Sequence, residues 1–229
     1  IRIWPENGSV HLAVDLDKPI PAEWGGRVTF DLQLFPVTYQ GKTFHLGEQF
    51  GLIPVEGLDP RISYNNGIMK PEPLARGSRL LLAPEDPLCK LQIEQINGDL
   101  ALIDDRNNSL SGWLIVSSEI PEKVDKGALE WVITPNLISG WIRQPVISLS
   151  QVGYHPEQVK EAVIELDVHS QKMERAVLRR IGNDGDMIEV KSGIPEEWGN
   201  FLRYKYFIFD FSEVKDPGIY TLSYGSVAT

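Results

Sequence analysis

A single cysteine, Cys89, stands in 229 residues. No disulfide can therefore form within the chain, and a zinc site built from several thiolates is excluded. The flanking PEDPLCKLQIEQ reads as a loop entering a strand, where Cys89 is expected to be a small buried apolar side chain rather than a nucleophile. Helical periodicity is also nearly missing, and its best stretch, residues 156–160, amounts to one turn at most. No apolar run approaches the roughly 18 residues of a membrane span. Positive charge is in deficit: 22 Lys and Arg against 32 Asp and Glu leave a formal net charge of −10. Binding to nucleic acid or an anionic membrane needs clustered Lys and Arg, so both are disfavoured as partners, whereas a neutral ligand such as a sugar is compatible. The four histidines, His11, His45, His155 and His169, lie far apart without ligand spacing, and neither a phosphate loop nor a G-x-S-x-G elbow occurs. No metal, cofactor or catalytic residue is assigned from these patterns. The chain opens on Ile1-Arg2-Ile3-Trp4 without an initiator Met or a signal peptide, which implies a removed leader or a start inside a longer protein.

What the chain has in quantity is turn punctuation. Twenty Gly and 16 Pro break it into short alternating apolar segments, the pattern of all-β sandwiches. Strands are predicted at 10–16, 28–35, 42–45, 79–82, 90–96, 100–104, 112–117 and 128–134, and then at 146–151, 161–168, 176–181, 187–190, 204–211 and 220–224. The strand at 161 shows the logic. Ala162, Ile164, Leu166 and Val168 share one face and Glu161, Glu165 and Asp167 the other, giving one buried side and one wet side. Asn65-Asn66-Gly67, Asn97-Gly98 and Asn183-Asp184-Gly185 supply turn residues that tolerate positive φ. In TPNLISGWIRQPV, Pro135, Gly140 and Pro145 break the ladder, while Leu137, Ile138, Trp141 and Ile142 are too apolar for a solvated linker. The expectation is an all-β chain of two β-sandwich domains: residues 1–144, and an immunoglobulin-like domain over residues 145–229.

Asp104-Asp105 and Asp184-Gly185-Asp186 resemble paired carboxylates, but each sits beside Asn or Gly without the continuation of a calcium loop, so turns are the expected reading. Asn7-Gly8-Ser9 and Asn107-Asn108-Ser109 match the short glycosylation sequon. Among the six tryptophans, Trp113 and Trp131 fall in alternating strands and are expected in the core. Trp24 in AEWGG and Trp198 in EEWGN fall in loops. Those two are the candidates for stacking on a sugar or for contact with a neighbouring domain, the latter being the commoner use of a loop tryptophan.

Asp216-Pro217-Gly218-Ile219-Tyr220-Thr221-Leu222 has the spacing D-x-G-x-Y-x-Φ of a tyrosine corner at the start of a late strand in an immunoglobulin-like sandwich. Leu222 stands at the position that antibody domains give to Cys. Tyr220 is expected to be mostly buried, with its hydroxyl bonded to the backbone of the corner.

ISLSQVGYHPEQVKEAVIEL and YFIFDFSEVKDPGIYTLSYG together resemble the N-terminal immunoglobulin-like domain of family 9 glycoside hydrolases, the cellulase type. Gln151, Gly153, Tyr154 and Pro156 fit the opening of that pattern, and Lys160, Ala162 and Val163 match it loosely. Asp210-Phe211-Ser212 and Gly218-x-Tyr220 fit the close, and Ser150 replaces the usual Asn. The resemblance implies that a large catalytic helical barrel follows in the same polypeptide, carrying the carboxyl groups that hydrolyse β-glucan or cellulose-type polysaccharide. It implies a bacterial protein that is secreted or periplasmic, with residues 1–144 an additional β-sandwich accessory module ahead of the immunoglobulin-like domain. The chain ends at YGSVAT before or within the last strand leading to such a barrel, so by itself it is expected to be inactive. A carbohydrate-binding module in residues 1–144, or a cell-surface interaction protein, are the alternative readings, since sandwiches serve many roles.

Overall fold

Alternation along the sequence becomes strand pairing in the computed structural model, which describes residues 1–57, 62–65, 68–107 and 112–229. Among these, helix is confined to one turn, α1 (Pro36–Tyr39), and a 3-10 turn at Ala22–Trp24. The chain forms two compact units, Ile1–Ile138 and Ser139–Thr229.

The N-terminal unit contains β1 (Arg2–Glu6), β2 (Ser9–Val14), β3 (Thr29–Leu34), β4 (Thr43–Leu46), β5 (Gln49–Leu52), β6 (Ile62–Asn65), β7 (Ile68–Pro71), β8 (Ala75–Gly77), β9 (Arg79–Leu82), β10 (Leu91–Gln95), β11 (Leu100–Asp104), β12 (Leu114–Glu119) and β13 (Leu129–Pro135). Seven strands form one sheet in the order β1-β2-β13-β10-β9-β4-β5, four form a second in the order β3-β12-β11-β8, and β6 pairs with β7. Inward residues of the two larger sheets share one core. Leu46, Leu80 and Leu82 meet Leu100, Leu102, Leu114 and Val116 there, with Trp131 fully buried among them. This is the layering of a sandwich, in which alternate residues of each strand turn inward.

The C-terminal unit contains β14 (Val146–Ser148), β15 (Glu161–Asp167), β16 (Ala176–Ile181), β17 (Met187–Gly193), β18 (Glu196–Phe201), β19 (Tyr204–Asp210), β20 (Tyr220–Tyr224) and β21 (Val227–Ala228). The sheets run β14-β15-β19-β18 and β17-β16-β20-β21. Lettered A to G with C′ after C, these are A-B-E-D and C′-C-F-G, the strand arrangement of an immunoglobulin-like sandwich. Ala162, Ile164 and Leu166 of β15 face Leu178, Leu222 and Tyr224 across the core. The buried face expected of the strand at 161 is therefore the one that packs.

Three expectations change. Trp198 lies in β18, not a loop, at an irregularity between Glu197 and Gly199 in the pairing with β19. An edge strand with a bulge and two Glu lacks the alternation by which strands are read. Trp113 precedes β12, packs beside the exposed Phe35 at 5.4 Å and is only partly buried. Asp104 closes β11 and is buried against Arg106. The Asn66-Gly67 part of one turn and the Asn108-Ser109 part of one sequon lie outside the described residues.

Candidate functional site

In the N-terminal unit the outer face of the β3-β12-β11-β8 sheet carries a groove of about 890 Å³. Strand register lays out its floor. One row runs Arg76, Ala101, Ser117, Asp31 across the four strands, and the next sets Ile103 beside Ile115. Because side chains alternate in direction, these outer residues are the complement of the inward Leu100, Leu102, Leu114 and Val116. The small Ala101 between Arg76 and Ser117 leaves the face hollow at its centre. Asp31 is fixed by Ser117, whose hydroxyl donates to its carboxylate at 2.6 Å.

A buried amide closes one side. Gln95 is 4% exposed and lines the groove. Its Oε1 accepts a hydrogen bond from the Trp131 indole N–H and another from the Ser118 hydroxyl at 2.8 Å. Gly98 is required beside it: a Cβ there would sit 2.9 Å from Gln95 Nε2, at a φ of +157°. Trp24 ends the 3-10 turn that leads into the groove's edge at Gly26 and Arg27, and its indole is 58% exposed. Gly25 between them lies against the exposed side-chain end of Glu122, another lining residue.

The Asp104 carboxylate is not available for chemistry. Arg106 grips both its oxygens, at 2.8 and 2.9 Å, and also donates to the carbonyls of Pro54, Val55 and Glu56. This buried pair anchors a loop and raises the Arg106 pKa further. Among the described residues no group of three or more His, Cys, Asp or Glu gathers for a metal ion.

In the C-terminal unit the two ends of the sequence pattern meet in space. Tyr154 accepts a hydrogen bond from the Ser150 N–H at 3.0 Å, donates to the Glu161 carbonyl at 2.9 Å, and packs edge-on against Phe211. Gly153, at φ +83°, makes the turn between Ser150 and Tyr154. Lys160 is 4% exposed, and its ammonium donates to the carbonyls of Pro156 at 2.6 Å and Gln158 at 3.1 Å. Its backbone N–H donates to Ser212 Oγ, while the Phe211 N–H donates to its carbonyl. The Gly-Tyr-x-Pro and Asp-Phe-Ser segments are thus two halves of one joint. At the following corner the Tyr220 hydroxyl donates to the Asp216 carbonyl at 2.7 Å. Gly218 leaves room for Arg180, which would lie 2.9 Å from a Cβ at that position. Tyr220 is half-buried, less than the mostly buried side chain expected, because only part of its ring packs on the core while the hydroxyl stays near the surface.

Residues 143–229 match the family model of the cellulase N-terminal ig-like domain. No curated protein and no solved structure gave a significant match to the chain. The match covers the whole joint just described, so the residues that carry the resemblance are those that close this cellulase-type immunoglobulin-like domain.

The outer face of its β14-β15-β19-β18 sheet carries an apolar patch beside the outward Glu161, Glu165 and Asp167. Val163, Trp198, Phe201, Tyr206 and Ile208 line a shallow hollow of about 270 Å³. Trp198 is 68% and Phe201 61% exposed. Tyr206 is held upright by donating to Glu165 at 2.8 Å, a bond that also pushes its phenol pKa up, and Glu165 is in turn paired with Arg143. Among the described residues no helix is long and apolar enough to cross a membrane.

Trp24 belongs to the N-terminal unit and Trp198 to the C-terminal one. Sequence reading singled out both but missed the groove floor. Its outward residues Ala101, Ile103, Ile115 and Ser117 look like ordinary alternation until register aligns them.

Proposed function

We propose that the chain is the non-catalytic N-terminal region of a family 9-like glycoside hydrolase, secreted or periplasmic, that degrades β-glucan or cellulose-type polysaccharide. The immunoglobulin-like domain supports a catalytic helical barrel of the same polypeptide, and residues 1–144 are an accessory sandwich. The observation that carries this reading is the family match over residues 143–229. The exposed Trp198 and Phe201 face supports it, because contiguous exposed apolar surface of this kind ordinarily meets a partner. Hydrolysis with inversion needs one carboxylic acid at the leaving oxygen and one carboxylate activating water, roughly 6.5–9.5 Å apart across the sugar. In this reading those two groups belong to the barrel.

The test is reducing-sugar release from a soluble β-glucan by the 229-residue chain and by the barrel-bearing polypeptide. Activity in the second alone supports the reading. Release by the chain alone, abolished by one Asp or Glu substitution, contradicts it. A second reading, a carbohydrate-binding role for residues 1–144, is favoured by the groove on the β3-β12-β11-β8 sheet.

A further inference from the structure

The groove on the N-terminal unit has three properties that together specify an occupant. Its floor sets an apolar strip, Ile103 beside Ile115, next to a polar row of Arg76, Ser117 and Asp31. A pyranose has the matching anatomy, with C–H faces that leave water favourably on aliphatic surface and hydroxyl edges that both donate and accept. Its volume of about 890 Å³ lies in the upper part of the range for small-molecule sites, roughly 300–1,000 Å³. That is room for several sugar rings rather than one.

The second property is a donor held at the groove by a fixed side chain. Gln95 is 96% buried, and both hydrogen bonds received by its side chain fall on Oε1. Among the described residues its Nε2 has no acceptor, although the side chain lines the groove. A ligand hydroxyl in the groove would supply an acceptor in place of solvent. The third is charge. Asp31, Asp99, Asp105, Glu119 and Glu122 line the groove against Arg27 and Arg76. This acidic surplus repels a uronate-bearing chain and leaves a neutral one unaffected.

We infer that this groove is a binding site for a neutral β-linked glucan chain, with Ile103 and Ile115 under the ring faces and Arg76, Asp31 and Gln95 bonding the hydroxyl edges. The choice of a β-glucan rests on the function proposed above, whereas the position of the site and its preference for neutral sugar do not.

The experiment titrates the 229-residue chain calorimetrically with a soluble β-1,4-glucan hexasaccharide and, separately, with polygalacturonate. The variants are Arg76→Ala and Asp31→Ala, both at exposed positions, and Ala101→Trp, which fills the centre of the groove; each is checked for an unchanged melting transition. The wild type is expected to bind the neutral hexasaccharide and not the polyanion. Each alanine variant should weaken binding about tenfold, and Ala101→Trp should abolish it. Equal affinity in all variants, no binding of the neutral sugar, or tighter binding of polygalacturonate would each overturn the inference. None of these outcomes bears on the proposed barrel-supporting role of the immunoglobulin-like domain, which rests on the family match over residues 143–229. Should Ala101→Trp fail to fold, the two alanine variants decide the matter.

Discussion

The hydroxyl of Tyr220 lies 2.7 Å from the carbonyl oxygen of Asp216, four residues earlier, across the corner that leads into β20. A second tyrosine, Tyr154, lines one hollow with Tyr220 and ties a neighbouring turn in the same manner, reaching the Glu161 carbonyl. Two phenols thus hold two surface turns of a domain with no disulfide. Tyr220→Phe removes one neutral hydrogen bond at a half-buried site. It should lower stability by about 1 kcal/mol, read as a shift in urea midpoint with unchanged slope. A neutral result would remove the corner's structural role.

Lys160 should matter although, among the described residues, no carboxylate forms an ion pair with it. Its buried ammonium bonds two loop carbonyls, and hydrogen bonds to charged groups contribute about 1.5–3 kcal/mol. Lys160→Met keeps the length of the stem and strands both carbonyls. Destabilisation of at least about 1.5 kcal/mol is expected, with faster hydrogen exchange at residues 156–160. Unchanged exchange there would count against the clamp.

Acid should loosen the same joint. Hydrogen bonds from the Ser212 hydroxyl and N–H hold the Asp210 carboxyl below its usual range. A group whose folded pKa is depressed contributes stability above its unfolded value, and that stability is lost as pH falls through the folded value. Stability should therefore be level at neutral pH and decline below about pH 4. Asp210→Asn should be less stable than wild type at pH 7 and show a shallower decline in acid. Parallel pH curves for the two proteins would contradict the assignment.

The Arg106 anchor offers a test in the N-terminal unit. Removing the guanidinium leaves Asp104 buried without its partner, and breaking a buried ion pair typically costs about 3–5 kcal/mol. Arg106→Ala should show a cost of this order, whereas Arg79→Ala, at an exposed position, should change little. Comparable small effects from both would show that the pair is not what secures the loop.

How much of this was legible in the sequence varies with how local the cause is. β9, β11, β16 and β20 fall at the residues predicted for them, because a short apolar or alternating run bounded by turn residues leaves a direct trace. β8 is three residues long and β18 is bulged, so neither repeats the period often enough to be seen. The tyrosine corner was legible because five residues hold the whole device. The groove was not, because its floor needs the register of four strands separated by up to 88 positions, from Asp31 to Glu119. Asp104 looked like a turn residue because its partner is adjacent in sequence while the loop that Arg106 anchors lies some 50 residues away.

In the function proposed above, a catalytic barrel covers the Trp198 face of the immunoglobulin-like domain. Hydroxyl-radical footprinting of Trp198 and Phe201, in the 229-residue chain and in the barrel-bearing polypeptide, measures this directly. In the shorter chain both side chains should oxidise rapidly, as their 68% and 61% exposures require. In the longer polypeptide protection of at least about tenfold is expected at both residues, with Met187 on the opposite sheet unchanged. Equal oxidation of Trp198 and Phe201 in the two proteins would contradict it.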